Sequence, residues 1–251
     1  MIHGFTGSHE GFQYIEPLLG EYRLIIPDVP GFGESTIGRS DWSVDSIAKL
    51  LNKFVQQLGF QQPPHLLGHS MGGLIAAAMI DQSPELYDQI LLIAPVPTAI
   101  RANDIRRPGA ILGALQYTVG HRVKKLGPRI VKSRTITRAV TMAIMTTSNS
   151  ELKRLIHSHH FKNLDYISSI EFYSKLHRDI NRQGAIDYAE KLQKKSILLV
   201  VSERDNVTPL REQKKLAKEI QPARLEIIPG VGHLAHYEAP EAIAKAIRAF
   251  L

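Results

Sequence analysis

The amino-acid sequence predicts an α/β fold with a mainly parallel sheet and one helical insert. Along most of the 251 residues, short apolar runs alternate with amphipathic stretches, the chain order of strands and helices in such a sheet. The longest runs show no polar–apolar alternation, as expected for strands that are covered on both faces. Residues 98–184 interrupt the pattern and contain no convincing strand, which indicates an insert built from helices.

Five apolar runs are predicted as strands, and four amphipathic stretches are predicted as helices. The predicted strands are residues 23–27, 65–67, 89–94, 196–201 and 224–228. The predicted helices are residues 44–58, 71–81, 210–220 and 239–250. The first of these helices repeats its apolar residues with the 3.6-residue period of an α-helix. Because strands and helices alternate, we expect right-handed crossovers between parallel strands.

The insert, which follows the strand that ends near Ala94, also differs from the rest of the chain in charge. Residues 98–184 carry 16 of the 31 Lys and Arg residues but only 5 of the 24 Asp and Glu residues. We therefore predict a core of residues 1–97 and 185–251, and a helical cap of residues 98–184 over the carboxyl edge of the sheet. The basic surface is either a solvated helical face or a site that attracts an anionic acyl substrate or membrane. Its clusters are Arg106-Arg107 and Lys124-Lys125.

Composition excludes several classes of function. The chain has no Cys, which rules out disulfides and a cysteine nucleophile and makes a reducing cytoplasm the expected location. No apolar run approaches the roughly 18 residues of a membrane span, and the first residues lack the pattern of a secretory signal. The basic residues accompany no nucleic-acid-binding motif, so we expect no nucleic-acid partner.

A glycine-flanked serine lies at the end of the second predicted strand. The sequence there is Gly68-His69-Ser70-Met71-Gly72, a G-x-S-x-G motif with a buried strand before it and a small-residue helix after it. A strand–turn–helix of this kind is tight and strained, and it lifts the serine hydroxyl above the sheet edge. A serine that only caps the helix is the structural alternative. The context favours Ser70 as a nucleophile.

With this motif the chain resembles the α/β-hydrolase superfamily, and the resemblance covers nearly the whole sequence. Residues 3–7 are similar to the oxyanion loop of the superfamily, and residues 28–35 to its D-x-x-G-x-G-x-S turn. Residues 232–240 are similar to the loop that presents its catalytic histidine. The resemblance implies that the backbone N–H groups of Phe5 and Met71 bind the oxyanion. His3 is expected to hold its loop by hydrogen bonds rather than to carry a proton.

A serine nucleophile needs a base, and eleven histidines compete for that role. His233 is the predicted base because it lies in a glycine-flanked loop after a strand, where it would reach the same sheet edge as Ser70. His236 is the alternative. His69 is expected to be a wall residue, because adjacent side chains diverge at such a turn.

The base in turn needs an acid that holds its tautomer. Asp205 follows the predicted strand 196–201 and is the predicted acid, with Glu203 as the alternative. The resulting order of Ser70, Asp205 and His233 is that of the superfamily. Asp28 is expected to hydrogen-bond its own Gly-rich turn.

The histidine-rich stretch at residues 157–160 superficially suggests a metal site. No carboxylate recurs at ligand spacing, and the flanking residues are basic, so we expect no metal there.

The resemblance implies a serine hydrolase that cleaves a carboxylic ester or related acyl compound through an acyl-enzyme on Ser70, without cofactor or metal. The alternatives are an acyltransferase or C–C bond hydrolase with the same triad, and a non-catalytic ligand-binding member of the fold. The expected partner is a small-molecule acyl substrate of anionic or lipid-like character, with peripheral membrane contact through the basic cap. Apolar insert residues are expected to line its pocket: Ile111, Leu112, Leu115, Val140, Ile144, Met145, Phe172 and Tyr173.

The start of the chain departs from the superfamily pattern. There, the oxyanion loop follows a central strand that lies between the equivalents of strands 23–27 and 65–67, and two further strands precede it. Here only Met1 and Ile2 stand before His3. Because unpaired backbone groups in a buried sheet are costly, we expect about 20–30 residues to precede Met1 in the native chain.

Overall fold

A computed structural model describes residues 1–38, 42–100, 108–123 and 125–251 of the chain. Four parallel strands, β1 (Leu66–His69), β2 (Ile90–Ile93), β3 (Ile197–Ser202) and β4 (Ala223–Ile228), form a sheet in that order. Helices connect the strands. The predicted α/β class with a mainly parallel sheet is therefore confirmed.

Helices fill the chain between and beyond the strands. In the described residues the α-helices are α1 (Val44–Gln57), α2 (Met71–Gln82), α3 (Pro108–Arg122), α4 (Gly127–Val131), α5 (Arg134–Ile144), α6 (Ser150–Asp165), α7 (Ile170–Ile180), α8 (Ala189–Leu192), α9 (Leu210–Glu219), α10 (Ala235–Glu238) and α11 (Pro240–Arg248). Short 3₁₀ helices occur at His9–Phe12, Glu16–Leu19, Pro84–Leu86 and Ala185–Tyr188. We call α3 to α7, which lie between β2 and β3, the insert helices. The division into core and cap units stays a prediction. None of the described helices combines the length and apolar character needed to cross a bilayer.

Strands β1, β2 and β3 are mainly apolar because both faces of this part of the sheet are covered. Every residue of β1, β2 and β3 is buried. Successive residues of a strand face opposite sides, so Leu92 and Leu199 pack in the core with α1 and α2. Leu91 and Leu198 pack on the other side with α11. Two hydrophobic cores thus account for the continuous apolar runs of the sequence.

Residues 23–27 do not form the predicted strand. Met1 and Ile2 lie between them and β1: the Met1 amino group donates to the Ile25 carbonyl at 2.7 Å, and the Ile2 N–H donates to the Leu67 carbonyl at 2.7 Å. A strand needs a ladder of such bonds, and in the described residues the Met1–Ile25 bond is the one that joins these two segments. A cavity of about 380 Å³ with a mainly apolar lining lies beside Met1 and Ile2. The expectation that further residues precede Met1 stays a prediction.

The backbones of β1 and α2 approach each other closely at two glycines. A Cβ atom on Gly68 would lie 2.2 Å from the Gly72 carbonyl oxygen, and one on Gly72 would lie 2.1 Å from the Ile2 carbonyl oxygen. The obstructing atoms are backbone, so no side-chain rotation could relieve the overlap. The two glycines therefore allow the N-terminus of α2 to pack against both β1 and Ile2.

We expect Gly72→Ala to destabilise the fold by about 3 kcal/mol or more, because the added methyl group must push backbone apart. Gly113→Ala in α3 is the matched control, since nothing lies within 4 Å of its added Cβ. Alanine has the higher helix propensity, so this variant should gain up to about 1 kcal/mol. Urea unfolding measures both changes, and a Gly72→Ala protein as stable as the wild type would contradict the steric argument.

Candidate active site

Ser70 lies in the turn between β1 and α2. Its backbone has φ 54° and ψ −117°, and the positive φ is strained for a residue with a side chain. The Ser70 N–H donates to the Ile93 carbonyl at 3.0 Å, and its carbonyl accepts from the Gly73 N–H at 3.0 Å. These bonds tie the turn to β2 and to α2, so the strained conformation is held from both sides.

The Ser70 hydroxyl, the His233 ring and the Asp205 carboxylate form a continuous chain of hydrogen bonds. Ser70 Oγ lies 2.9 Å from His233 Nε2, and His233 Nδ1 lies 2.8 Å from Asp205 Oδ2. A carboxylate only accepts, so Nδ1 carries the proton and Nε2 of the neutral ring accepts from the serine hydroxyl. All three side chains are buried. The structure thus brings together the three side chains that the sequence singles out.

Asp205 is surrounded by donors. Its Oδ1 accepts from the N–H groups of Val207 and Thr208, both at 2.8 Å, and its Oδ2 also accepts from the Thr208 hydroxyl at 2.7 Å. Burial alone would raise the pKa of Asp205, but the His233 ring and the Thr208 bonds outweigh it and hold the pKa below its ordinary value. An ionised carboxylate at this place keeps the His233 proton on Nδ1.

His236, the alternative base, is not the histidine that bonds to Ser70 in the described part of the chain. Its ring packs against the His69 ring, with centroids 4.0 Å apart and ring planes tilted by 49°. The His69 ring in turn donates from Nε2 to the His233 carbonyl at 3.3 Å. Burial, with added repulsion from neighbouring histidines, lowers the pKa of His69 to about 3 and that of His236 well below its ordinary value. Both rings are therefore neutral at pH 7 and form a wall beside His233.

Glu203 and Asp28, the two other carboxylates considered from the sequence, accept hydrogen bonds from backbone N–H groups. Glu203 Oε2 accepts from the Gly230 N–H at 2.8 Å, so it bonds to the segment before the His233 loop. Asp28 Oδ2 accepts from the Glu34 N–H at 2.9 Å, within the Gly-rich turn, and its Oδ1 accepts from the His9 N–H at 2.7 Å. Asp28 thus bonds to its own turn and to the segment at His9.

Residues 3–7 pass directly beside the serine. A Cβ atom on Gly4 would lie 3.3 Å from Ser70 Cβ, and Phe5 and Met71 share a cavity wall with Ser70. The N–H groups of Phe5 and Met71 donate to no acceptor within the ranges that the structure describes. Met71 is the first residue of α2, where N–H groups lack an intrahelical partner. Both N–H groups are therefore free to bind an anionic oxygen.

His3 holds this loop through both of its ring nitrogens. Nε2 accepts from the Val29 N–H at 2.9 Å, and Nδ1 donates to the Gly4 carbonyl at 2.9 Å. Burial lowers the pKa of His3 to about 4, so the ring is neutral at pH 7. The contacts are those of a residue that positions the loop, the role the sequence predicts.

Two cavities share Ser70 and His233 in their walls. The larger, of about 160 Å³, is lined mainly by α3, α5, α6 and α7 of the insert helices. The smaller, of about 90 Å³, is lined by residues 3–8 together with His69 and His236. Among the described residues, neither wall contains Lys, Arg, Asp or Glu. The described part of the wall around the serine therefore carries no lysine, arginine or carboxylate charge.

Val140 and Ile144 line the larger cavity as expected, but six of the eight predicted lining residues do not. The six are Ile111, Leu112, Leu115, Met145, Phe172 and Tyr173. Leu115 is 53% exposed, because α3 turns a different face toward the cavity. Phe172 and Tyr173 pack on Phe32, with ring centroids 5.6 Å and 5.0 Å from it. Met145 packs in a separate hydrophobic cluster with Ile156, Leu234 and Tyr237.

Two side chains that support the site were not assigned a role from the sequence. One is Thr208, whose position three residues after Asp205 lets its hydroxyl reach back to the carboxylate. The other is Glu238, which bonds to the link between α5 and α6: its Oε1 accepts from the N–H groups of Thr146 at 2.6 Å and Thr147 at 3.1 Å. Glu238 Oε2 also accepts from the Gly232 N–H at 3.3 Å. It therefore joins the insert helices to the His233 loop.

The histidine-rich stretch of α6 contacts several protein groups. A hydrogen bond of 2.7 Å joins the Thr141 hydroxyl to His160 Nδ1, and His160 lines both cavities. His159 contacts the Gln13 amide at 2.8 Å. Burial lowers the pKa of His160 to about 4, so it adds no charge to the cavity walls at pH 7.

Known proteins resemble the chain over its full length. An uncharacterized hydrolase of Bacillus subtilis, YugF, is 26% identical over 100% of this chain and 88% of its own. The 2-hydroxy-6-oxo-6-(2'-aminophenyl)hexa-2,4-dienoic acid hydrolase of Metapseudomonas resinovorans is 24% identical over 100% of this chain and 82% of its own. The solved structure of a thermophilic esterase from Thermogutta terrifontis matches the fold with a TM-score of 0.77 at 23% identity, covering 99% of this chain and 86% of that one.

The sequence profile described as alpha/beta hydrolase fold matches residues 1–240. The parallel sheet, the strand–turn–helix at Ser70 and the order of the three hydrogen-bonded side chains agree with that match. The chain therefore belongs to the α/β hydrolase fold family.

Proposed function

We propose that the protein is a serine hydrolase that cleaves a carboxylic ester or a related acyl compound through an acyl-enzyme on Ser70. The observation that carries the proposal is the hydrogen-bond chain from Asp205 through His233 to the Ser70 hydroxyl. Two further observations on the described residues support it: the N–H groups of Phe5 and Met71 donate to no acceptor there, and the described wall of the cavity beside the hydroxyl holds no Lys, Arg, Asp or Glu.

In the first half of the proposed reaction, Ser70 Oγ attacks the acyl carbon and loses its proton to His233 Nε2. Asp205 stabilises the imidazolium that forms. The carbonyl oxygen becomes an oxyanion and accepts hydrogen bonds from Phe5 and Met71, each worth about 3–4 kcal/mol in sites of this type. When the tetrahedral intermediate collapses, the C–O bond to the alcohol breaks and the alcohol takes the proton from His233.

In the second half, water replaces the alcohol. His233 Nε2 accepts a proton from the water as its oxygen attacks the acyl-enzyme, and the same two N–H groups hold the second oxyanion. Collapse breaks the bond to Ser70 Oγ, which takes back the proton from His233. The products are a carboxylic acid and the free serine, so atoms and protons balance without a cofactor.

The neighbouring histidines support this proton path. The His69 ring packs against His233, the His236 ring packs against His69, and the lowered pKa values of both make them poor proton acceptors. The proton that leaves Ser70 therefore stays on His233, the ring that faces both the nucleophile and the leaving group.

The cavity walls support an uncharged, lipid-like acyl group rather than an anionic one. The described lining has no Lys or Arg that could pair with a carboxylate. Burial lowers the pKa of His160 and His177 to about 4, so these rings are neutral as well. An anion buried there would lack a partner, which is costly.

The absence of Cys supports the cytoplasm as the proposed location.

A second candidate is a C–C bond hydrolase with the same triad. The full-length similarity to the Metapseudomonas resinovorans hydrolase, which is named for an oxo-dienoic acid, favours it. Both reactions begin with attack of Ser70 on a carbonyl carbon, so the same residues would serve either one.

A fluorophosphonate probe should label the purified protein on Ser70 and abolish hydrolysis of short p-nitrophenyl esters. Ser70→Ala should show no label and should lose at least about 10³-fold in kcat/KM, because removal of the nucleophile leaves only the oxyanion donors and binding. Intact-mass spectrometry and peptide mapping locate the label.

The control for this experiment is the far-ultraviolet circular dichroism of Ser70→Ala, which should match the wild type. A folded wild-type protein without label would contradict the proposed function. Turnover of the oxo-dienoic acid without ester turnover would favour the second candidate, and ester products with added alcohols would indicate an acyltransferase.

Asp205→Asn should lower kcat by roughly 10³- to 10⁴-fold, because an amide holds the wrong tautomer of His233. Glu203→Gln is the matched control: it removes a carboxylate two residues away whose partner is Gly230, and its kcat should stay within about tenfold of the wild type. Steady-state kinetics on the same ester measures both. A large loss in Glu203→Gln with Asp205→Asn unaffected would reverse the assignment of the acid.

Acidification should destabilise the fold below about pH 6.5. In this range the histidines of the unfolded chain bind protons, whereas histidines with a lowered pKa in the folded chain stay neutral. The histidines whose pKa is strongly lowered are His3, His69, His160, His177 and His236, and the pKa of the buried His157 is lowered as well. Because each folded pKa lies below the unfolded value, the stability present above pH 6.5 is lost as the pH falls, by up to about 1.4 kcal/mol per histidine per pH unit.

The midpoint of thermal unfolding measures this loss between about pH 7.5 and about pH 5.5. His236→Phe should make the pH dependence shallower, whereas the exposed His121→Gln should leave it unchanged. A midpoint that does not vary over this range would contradict the expectation.

A further inference from the structure

Helix α3 is apolar on two opposite faces, yet only one of them is covered. Ala110, Gly113 and Tyr117 face the larger cavity, and Gln116 on the same face donates to the Val131 carbonyl at 2.9 Å. Leu115 and Val119, one turn apart on the opposite face, are 53% and 40% exposed. A helix that is apolar all round is normally buried on all sides. The outer face of α3 therefore presents apolar surface that the described chain leaves uncovered.

The same outer surface continues into the neighbouring helices. Val123 and Leu126, in the link from α3 to α4, are 40% and 46% exposed, and Met142 on α5 is 55% exposed. Helix α5 packs against α3, and Val140 and Ile144 on its other face line the cavity. Most of the exposed large apolar residues of the described chain thus lie between positions 115 and 142. We call this outer surface of α3 to α5 the insert face.

The insert face is strongly cationic. Residues 105–150 contain 9 Lys and Arg residues and no Asp or Glu. Of these, Arg106, Arg107 and Lys124 lie outside the described residues. The others, Arg122, Lys125, Arg129, Lys132, Arg134 and Arg138, are all exposed. In the described part of the chain, no carboxylate lies within salt-bridge distance of any of the six.

We propose that the insert face docks on the surface of an anionic lipid bilayer. Exposed aliphatic side chains among cations without a compensating carboxylate are the composition of an interfacial helix, which binds through apolar burial and attraction to anionic headgroups. A second copy of the chain is a poor occupant, because it would bring the same positive charge to the contact. Leu115, Val119 and Met142 enter the acyl boundary, and Arg122 and Lys125 contact lipid phosphates.

Docking would place the lipid source next to the cavity. Helices α3 and α5 contribute one face to the membrane contact and the opposite face to the cavity wall over Ser70. An ester that partitions into the bilayer therefore needs to cross only one layer of helices. Membrane binding does not itself require the Ser70 chemistry, so the two proposals can fail separately.

Cosedimentation with vesicles tests the proposal on the full 251-residue chain. One set of vesicles contains phosphatidylcholine alone, and in the other about a third of the lipid is phosphatidylglycerol. Each cation near an anionic surface contributes about fivefold in binding, so we expect at least tenfold tighter binding to the anionic vesicles. Raised salt should weaken it.

Two pairs of variants separate charge from apolar contact. Arg122→Glu with Lys125→Glu should weaken binding to anionic vesicles by about tenfold or more. Leu115→Gln with Val119→Gln should also weaken it by about tenfold, while glutamine preserves the helix. The matched controls are Lys214→Glu with Lys218→Glu on α9, and Leu50→Gln with Leu58→Gln at α1, all at exposed positions. The controls should bind as the wild type does.

The far-ultraviolet circular dichroism of all four double variants should match the wild type, which verifies their folding independently of both lipid and the Ser70 chemistry. Ser70→Ala should bind vesicles as the wild type does. Equal binding to neutral and anionic vesicles would overturn the proposal. The proposal would also be overturned if either insert-face double variant bound anionic vesicles as tightly as the wild type does. The membrane contact would then lie elsewhere, or the insert face would bind an acidic protein.

Discussion

The close contact of backbone with backbone at Gly68 and Gly72 is the constraint on which the site depends. Because neither residue has a Cβ, β1 ends directly against the N-terminus of α2 and against Ile2. The turn between them holds Ser70 at φ 54°, so its side chain projects from the sheet edge. Beside it, the first N–H of α2 donates to no acceptor among the described residues. Since His3 follows Ile2 directly, the same contact carries the loop that contains Phe5 to the serine.

The sheet and the three hydrogen-bonded side chains could be predicted because they depend on local sequence and on chain direction. Strands buried on both faces require continuous apolar runs, and those runs are visible in the sequence. The carboxyl ends of parallel strands share one edge, so the loops after β3 and β4 had to deliver Asp205 and His233 to the edge that holds Ser70. The positions of these two loops depend on strand order and chain direction and not on side-chain packing.

Features that depend on how one element sits against another could not be predicted. Leu115 on α3 and Val140 on α5 were both expected to line the cavity, but of the two only Val140 does. Because α3 is apolar on both sides, its sequence does not indicate which side faces the cavity. Glu238 finds its partners 92 residues earlier in the chain, at Thr146. Residues 23–27 have the composition of a strand, but strand formation depends on a ladder of hydrogen bonds to the neighbouring chain, and the described residues supply one bond, from Met1 to Ile25.

The insert helices differ in charge between the side that faces the cavity and the side that faces solvent. Their inner faces give the cavity a neutral wall in the described residues, while exposed cations lie on α3, α4 and α5. Cations that served a small anionic substrate would be most effective inside the cavity, where the low dielectric strengthens pairing. On the outside, water and salt screen each of them within about 10 Å, so they act only on something that comes into contact with that surface. A bilayer is such an object, and its apolar interior also matches Leu115 and Val119. The groups that hold the pKa of Asp205 down are His233 and Thr208 and not these cations, so the insert face can change without altering the proton path.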